Sequence, residues 1–200
     1  MKQALSHPLA VLGLAGLSAL AGAPAQALSY ETILGPEVSG ATGTGSAKVK
    51  IFEASNQMKV NIAFSGLSGN TTVAHIHGPT TVAGTGTAGV MTPTPTFPGF
   101  PAGVKSGSYE QTFDLLSTST YRAGFITASG GTAAGARDAF LAALLDGKAY
   151  LNVHSQTFPG GEIRGFFAPS PVPGPLPLLG AGAALAWSRR LRQRLASSSR

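Results

Sequence analysis

The chain has 200 residues, no cysteine and a formal net charge of +6. The lack of cysteine excludes disulfide bonds and thiolate chemistry, and 27 glycines and 14 prolines favour a turn-rich all-β chain over a helical bundle. The positive charge belongs to the ends, because residues 28–168 contain eight basic and eight acidic residues. A neutral domain offers no basic surface to phosphate groups, so we expect no nucleic-acid partner.

Residues 1–27 have the three parts of a secretory signal peptide. Lys2 supplies the positive start, an apolar stretch begins at Leu9, and Ala25-Gln26-Ala27 is a small-residue cleavage site. An uncleaved membrane anchor is the alternative, but the apolar core is short. We predict cleavage after Ala27 by signal peptidase and export of the remaining chain.

Residues 28–168 show period-two alternation of apolar and polar side chains. In 57–65 every second residue from Met58 to Phe64 is apolar, with Lys59 and Asn61 between them. The candidate strands are 30–34, 47–51, 58–64, 73–77, 109–115, 148–154 and 162–167. The short link 54–56 predicts a hairpin. We expect an all-β, antiparallel Greek-key β-sandwich.

One short helix and one long loop interrupt the predicted strands. Residues 134–146 place Phe140, Leu141, Leu144 and Leu145 on one stripe, with Thr132 as N-cap and Gly147 at the C-terminus. This helix is expected to cover an open end of the sandwich.

The loop 80–107 is rich in glycine, threonine and proline, and it contains Phe97 and Phe100. Long loops in compact domains are functional or disordered. The two phenylalanines either pack back onto the domain or form an exposed binding surface.

Three histidines lie in two of the predicted strands. His75 and His77 share a face because side chains alternate along a strand, and His154 comes from the second segment. Such a set is either a metal site or a structural signature in which imidazoles bond carbonyls or a carboxylate such as Glu162. Glu162 could also orient a metal ligand, or pair with Arg164 at the surface.

The C-terminal region predicts a second targeting signal. Residues 169–177 hold five prolines and form an extended spacer, and a short apolar stretch and an arginine cluster follow in 178–200. This order resembles the PEP-CTERM sorting signals of bacteria that make exopolysaccharide, although Gly174 stands between Pro173 and Pro175 where that family usually has glutamate. The resemblance implies transient inner-membrane association, processing by an exosortase, and delivery to the cell surface or extracellular matrix. A plain tail anchor is the alternative.

Three segments of the central region resemble the CHRD domain. They read AHIHGP from Ala74, LDGKAYLNVH from Leu145 and PGGEIRG from Pro159. The likeness spans nearly all of 28–168, with Ser39 as a departure where the family commonly has proline. It implies a β-rich extracellular module and does not imply an enzyme.

The histidine layout also resembles copper–zinc superoxide dismutase, in which an H-x-H strand and a later Val-His strand supply copper ligands. This resemblance implies a similar sandwich, with copper or zinc at His75, His77 and His154. A bridging fourth histidine, the zinc loop and the disulfide cysteines are missing, and Arg164 is the single nearby cation. Dismutase activity is therefore not expected.

Taken together, the sequence predicts a non-enzymatic module at the cell surface or in the extracellular matrix. Its expected partners are extracellular polysaccharide or surface proteins. The alternative is a metal-binding protein or metal-dependent enzyme that uses the three histidines.

Overall fold

The computed structural model describes residues 27–170. The predicted signal peptide with Ala25, and the predicted sorting segment with Pro173 and Pro175, lie outside the described residues, whereas Ala27 lies at their start. Within this part of the chain, no helix is both long and apolar enough to cross a membrane.

The predicted all-β, antiparallel architecture is confirmed. The strands are β1 (Leu28–Pro36), β2 (Thr44–Phe52), β3 (Gln57–Ser65), β4 (Thr71–His77), β5 (Gly107–Asp114), β6 (Tyr150–Ser155), β7 (Ile163–Phe166) and β8 (Ala168–Pro169). Their order across the sheet is β4-β6-β7-β1-β2-β3-β5, and β8 also pairs with β1. All seven predicted strands are present, and the two-residue β8 was not predicted.

Strand β1 joins the two halves of the curled sheet. Its first residues pair with β2, and Gly35 and Pro36 at its other end pair with β7. The predicted hairpin links β2 to β3, with Phe52 opposite Gln57 and a short 3-10 turn between them. Asn56 closes this turn with a φ of 51°, which asparagine tolerates better than most residues.

The hydrophobic core lies between the two halves. The apolar set of β3 (Met58, Val60, Ile62 and Phe64) is buried, as predicted. From the other half, Ala74 and Ile76 of β4 and Leu151 and Val153 of β6 are buried. Their common burial makes one apolar interior shared by both halves.

Two helices cover the core. The helix α2 (Ala133–Leu145) matches the predicted one, and the hydroxyl of Thr132 accepts from the Gly135 N–H at 3.0 Å, as expected of an N-cap. The predicted apolar stripe is wrong at Leu145, which is 66% exposed because it ends the helix. The helix α1 (Ala123–Ala128) was not predicted, since six residues are too short to show a helical period.

The long loop packs back onto the domain. Phe97 and Phe100 are buried, and their rings lie 5.7 and 5.6 Å from that of Tyr109. The exposed binding surface that the sequence left open for these two phenylalanines is therefore excluded.

Candidate metal centre

The three predicted histidines meet on the outer face of one half of the sheet. His75 and His77 come from β4 and His154 from the neighbouring strand β6, with His75 directly opposite Asn152. One ring nitrogen from each histidine lies within 4.8 Å of the other two. Alternation along β4 puts the first two rings on one face, and antiparallel pairing brings the third beside them.

A backbone carbonyl fixes each imidazole ring. Nε2–H of His75 donates to the Pro95 carbonyl at 2.6 Å, and Nδ1–H of His77 donates to the Ala88 carbonyl at 3.0 Å. Nδ1–H of His154 donates to the Pro159 carbonyl at 3.0 Å. Because a carbonyl only accepts, each of these nitrogens carries the proton and the other nitrogen of each ring has a free lone pair.

The three remaining ring nitrogens are buried and have no hydrogen-bond partner. They are Nδ1 of His75, Nε2 of His77 and Nε2 of His154. One ring nitrogen from each histidine lies within 4.8 Å of the other two, and the three would draw closer together around one ion to form metal–nitrogen bonds of about 2 Å. The donor set therefore fits one metal ion with imidazole ligands.

Burial also keeps the rings in the form that binds metals. Desolvation lowers the pKa of His75 to about 4, and it lowers the pKa of His77 below its ordinary value. Both imidazoles are consequently neutral at neutral pH, as a metal ligand must be.

A stack of side chains supports His77 from the side of β7. The Tyr150 ring lies parallel to the His77 ring at 5.0 Å, and the Arg164 guanidinium lies over Tyr150 at 5.3 Å. Arg164 donates to Glu37 at 3.2 Å, which holds the guanidinium in place. Alternation along β6 predicts that Tyr150 shares a face with His154, but the sequence does not indicate that its ring stacks on His77.

The structure places Glu162 outside the histidine cluster. Its carboxylate is fully buried and accepts from the backbone N–H groups of Ser68 and Gly69. The expected hydrogen bond to a histidine is wrong, because backbone carbonyls occupy that role. The alternative surface pair with Arg164 is also wrong, since Arg164 pairs with Glu37.

The cluster offers three candidate ligands. Among residues 27–170, no aspartate, glutamate or further histidine joins the group. Structural zinc sites are almost always four-coordinate, so three imidazoles leave one position for another donor.

Comparison with known proteins gives one match. The family model of the CHRD domain matches residues 25–167. No curated protein and no solved structure matches the chain.

Proposed function

The chain belongs to the CHRD domain family, whose model covers more than two thirds of it, and we propose that it is an exported, non-enzymatic module of the cell surface or extracellular matrix that binds one transition-metal ion. The ion would be held by His75, His77 and His154. The observation that carries this proposal is the set of three buried imidazole nitrogens that have no partner.

The cost of burying unpaired acceptors favours an ion at this position. A buried acceptor without a partner costs about 1–3 kcal/mol, and three such acceptors lie together. One cation satisfies all three at once. Neutral imidazoles suit copper and zinc, and a bound ion would supply Lewis acidity or, for copper, one-electron chemistry.

Binding is favoured over catalysis because no carboxylate that could transfer a proton joins the three histidines among residues 27–170. A groove of about 870 Å³ lies on the outer face of β1, β2, β3 and β5, and no histidine lines it. This groove is therefore separate from the candidate ligands.

Elemental analysis of the purified protein tests the metal site. We expect about one equivalent of copper or zinc in the natural protein and almost none in a His75→Ala/His77→Ala variant. A Glu31→Ala/Glu110→Ala variant is the matched control, because it removes two exposed carboxylates from the other half of the sheet. Metal content that is sub-stoichiometric and equal in all three proteins would leave the histidines a purely structural role.

The export part of the proposal is supported by the two terminal segments. A tripartite leader precedes the domain, and a proline-rich spacer, an apolar stretch and an arginine cluster follow it in that order. Signal peptidase and an exosortase-type enzyme would process these segments. Extracellular polysaccharide or surface proteins would then be the partners of the released domain.

A truncated chain tests the sorting step. The Ser170 N–H donates to the Ser29 carbonyl at 2.7 Å, so a chain ending after Ser170 keeps all strands of the domain. We expect this chain to appear in the medium, while the full chain passes through a membrane-bound form. Unchanged membrane or matrix association of the truncated chain would contradict the sorting role.

A further inference from the structure

The two outer edges of the sheet are treated differently. The long loop covers the edge strand β4, because the Thr92 and Thr96 hydroxyls accept from the N–H groups of Ile76 and Ala74 at 3.0 Å. The Met91 N–H also donates to the Ile76 carbonyl at 2.9 Å. These bonds take up the backbone groups through which β4 would pair with another strand.

The opposite edge strand, β5, is open. Within residues 27–170 its only paired neighbour is β3, which it contacts along eight residue pairs from Gln57↔Asp114 to Phe64↔Gly107. Ser108 and the run 110–112 are exposed. The strand therefore presents a row of backbone N–H and C=O groups to solvent.

Most of the features that normally block such an edge are missing from β5. It contains no proline and no lysine, its register with β3 has no bulge, and its charged residues are Glu110 and Asp114. Natural proteins protect long edges with such devices or by covering them, as β4 is covered here. An eight-residue edge with so little protection is suited to pairing with another strand.

We propose that β5 pairs in antiparallel fashion with β5 of a second copy of this chain, so that two sheets join into one. This inference is independent of the metal site and of the sorting signal. The chemistry of the strand argues for a second copy, because β5 is complementary to itself.

Length of overlap and charge together favour one register for this pairing, with the two-fold axis at Gln111 so that residues 108–114 all pair. A two-fold axis at Gln111 places Glu110 opposite Thr112 of the second copy. It also places Tyr109 opposite Phe113 of the second copy, which continues the aromatic row of the core. An axis at Glu110 would oppose two glutamates, and an axis at Thr112 would oppose Glu110 and Asp114, and like charges directly opposite are destabilising.

The covered edge explains why the assembly would stop at two copies. A two-fold contact uses the same surface on both partners and closes on itself. Since the loop already bonds the outer backbone groups of β4, the joined sheet has no further open edge within the described residues. The expected product is a dimer and not a filament.

Cysteine trapping of the full chain in detergent micelles tests the register, because the chain has no cysteine of its own. In a Gln111→Cys variant the two Cα atoms would lie about 5 Å apart, within the range that a disulfide bridges. In the matched Thr112→Cys variant each position lies one residue from the axis, so the two are offset by two residues along the strands and lie about 8 Å apart, beyond that range. Mild oxidation should therefore trap the Gln111→Cys variant as a dimer and leave the Thr112→Cys variant monomeric.

A sedimentation measurement without cysteines gives the second readout. The natural chain should sediment as a dimer at micromolar concentration, and Gln111→Lys should weaken self-association several-fold by opposing two positive charges at the axis. Gln111 is exposed, so this change leaves the fold intact. A monomeric natural chain, equal trapping of both cysteine variants, or trapping of Gln111→Cys to a different polypeptide would each overturn the proposal.

Discussion

The two halves of the sheet differ in what lies on their outer faces. In the open half (β2, β3, β5 and the part of β1 that pairs with β2), one face meets the core and the other meets solvent, so buried residues alternate along β3 with more exposed ones. In the histidine half (β4, β6 and β7), loops cover the outer face, and all six residues of β6 are buried. The same strand geometry thus gives a solvent-exposed polar face in one half and a buried polar cluster in the other.

The difference determines how polar groups are satisfied. In the open half, side chains pair with each other, as Glu31 does with Lys48 and Glu110 does with Lys59. In the histidine half, backbone groups of loops serve as partners, including the Pro95 and Pro159 carbonyls. An exposed ion pair replaces hydrogen bonds to water with a bond between two side chains, so it adds little to stability. A buried polar group cannot bond to water, so losing its protein partner costs the full free energy of that bond.

The largest expected difference between the two halves is the loss of folding stability at low pH. In the metal-free protein the pKa of His75 is about 4, against 6.5 in the unfolded chain. Because the folded pKa is depressed, the stability that depends on neutral His75 is present above pH 6.5 and is lost as the pH falls towards 4. We expect unfolding free energy to drop by about 2–3 kcal/mol between pH 7.5 and 4.5.

Urea denaturation across this range checks the effect. A His75→Gln variant is the control, since it removes the titrating group and should flatten the pH dependence. Equal slopes for the natural protein and the variant would show that His75 is not the group that responds. The pH dependence of stability would then not come from the histidine half of the sheet.

A smaller contrast compares one buried and one exposed glutamate. Glu162→Gln removes the charge that accepts from the Ser68 and Gly69 N–H groups, and we expect a loss of about 2 kcal/mol. Glu110→Gln in the open half should cost less than about 1 kcal/mol. Chemical denaturation measures both, and similar losses would mean that burial of Glu162 contributes little.

The strands of the open half could be predicted from the sequence because apolar and polar side chains alternate along them. One face of β3 is apolar and the other polar, and the link 54–56 joins two such strands, so strand positions and pairing follow together. The predicted and observed ends of these strands differ by up to three residues, mostly because residues beyond the apolar run also pair. The short strand β8 left no pattern, since two residues cannot show a period.

The candidate site was predictable in its ligands and not in its surroundings. The spacing of His75 and His77, with His154 on a second strand, was enough to place the three rings together. Their partners are main-chain carbonyls of residues 5 to 20 positions away in the chain, and a carbonyl carries no residue-specific signal. Glu162 was misassigned because the sequence shows a carboxylate near His154 but not the backbone amides that bind it.

The smallest expected difference between the halves is in the coupling energy of two ion pairs, one exposed and one largely buried. Glu31 and Lys48 are 47% and 38% exposed, whereas Glu37 and Arg164 are 14% and 25% exposed. Double-mutant cycles with alanine should give a coupling below about 1 kcal/mol for the first pair, and this coupling should vanish in 1 M salt because screening then acts within about 3 Å. The second pair should keep a larger coupling in the same salt, since the guanidinium is also held over Tyr150 and is poorly reached by ions. Equal couplings and equal salt dependence would show that the covered face is wet, and the contrast between the two halves would then rest on the histidines alone.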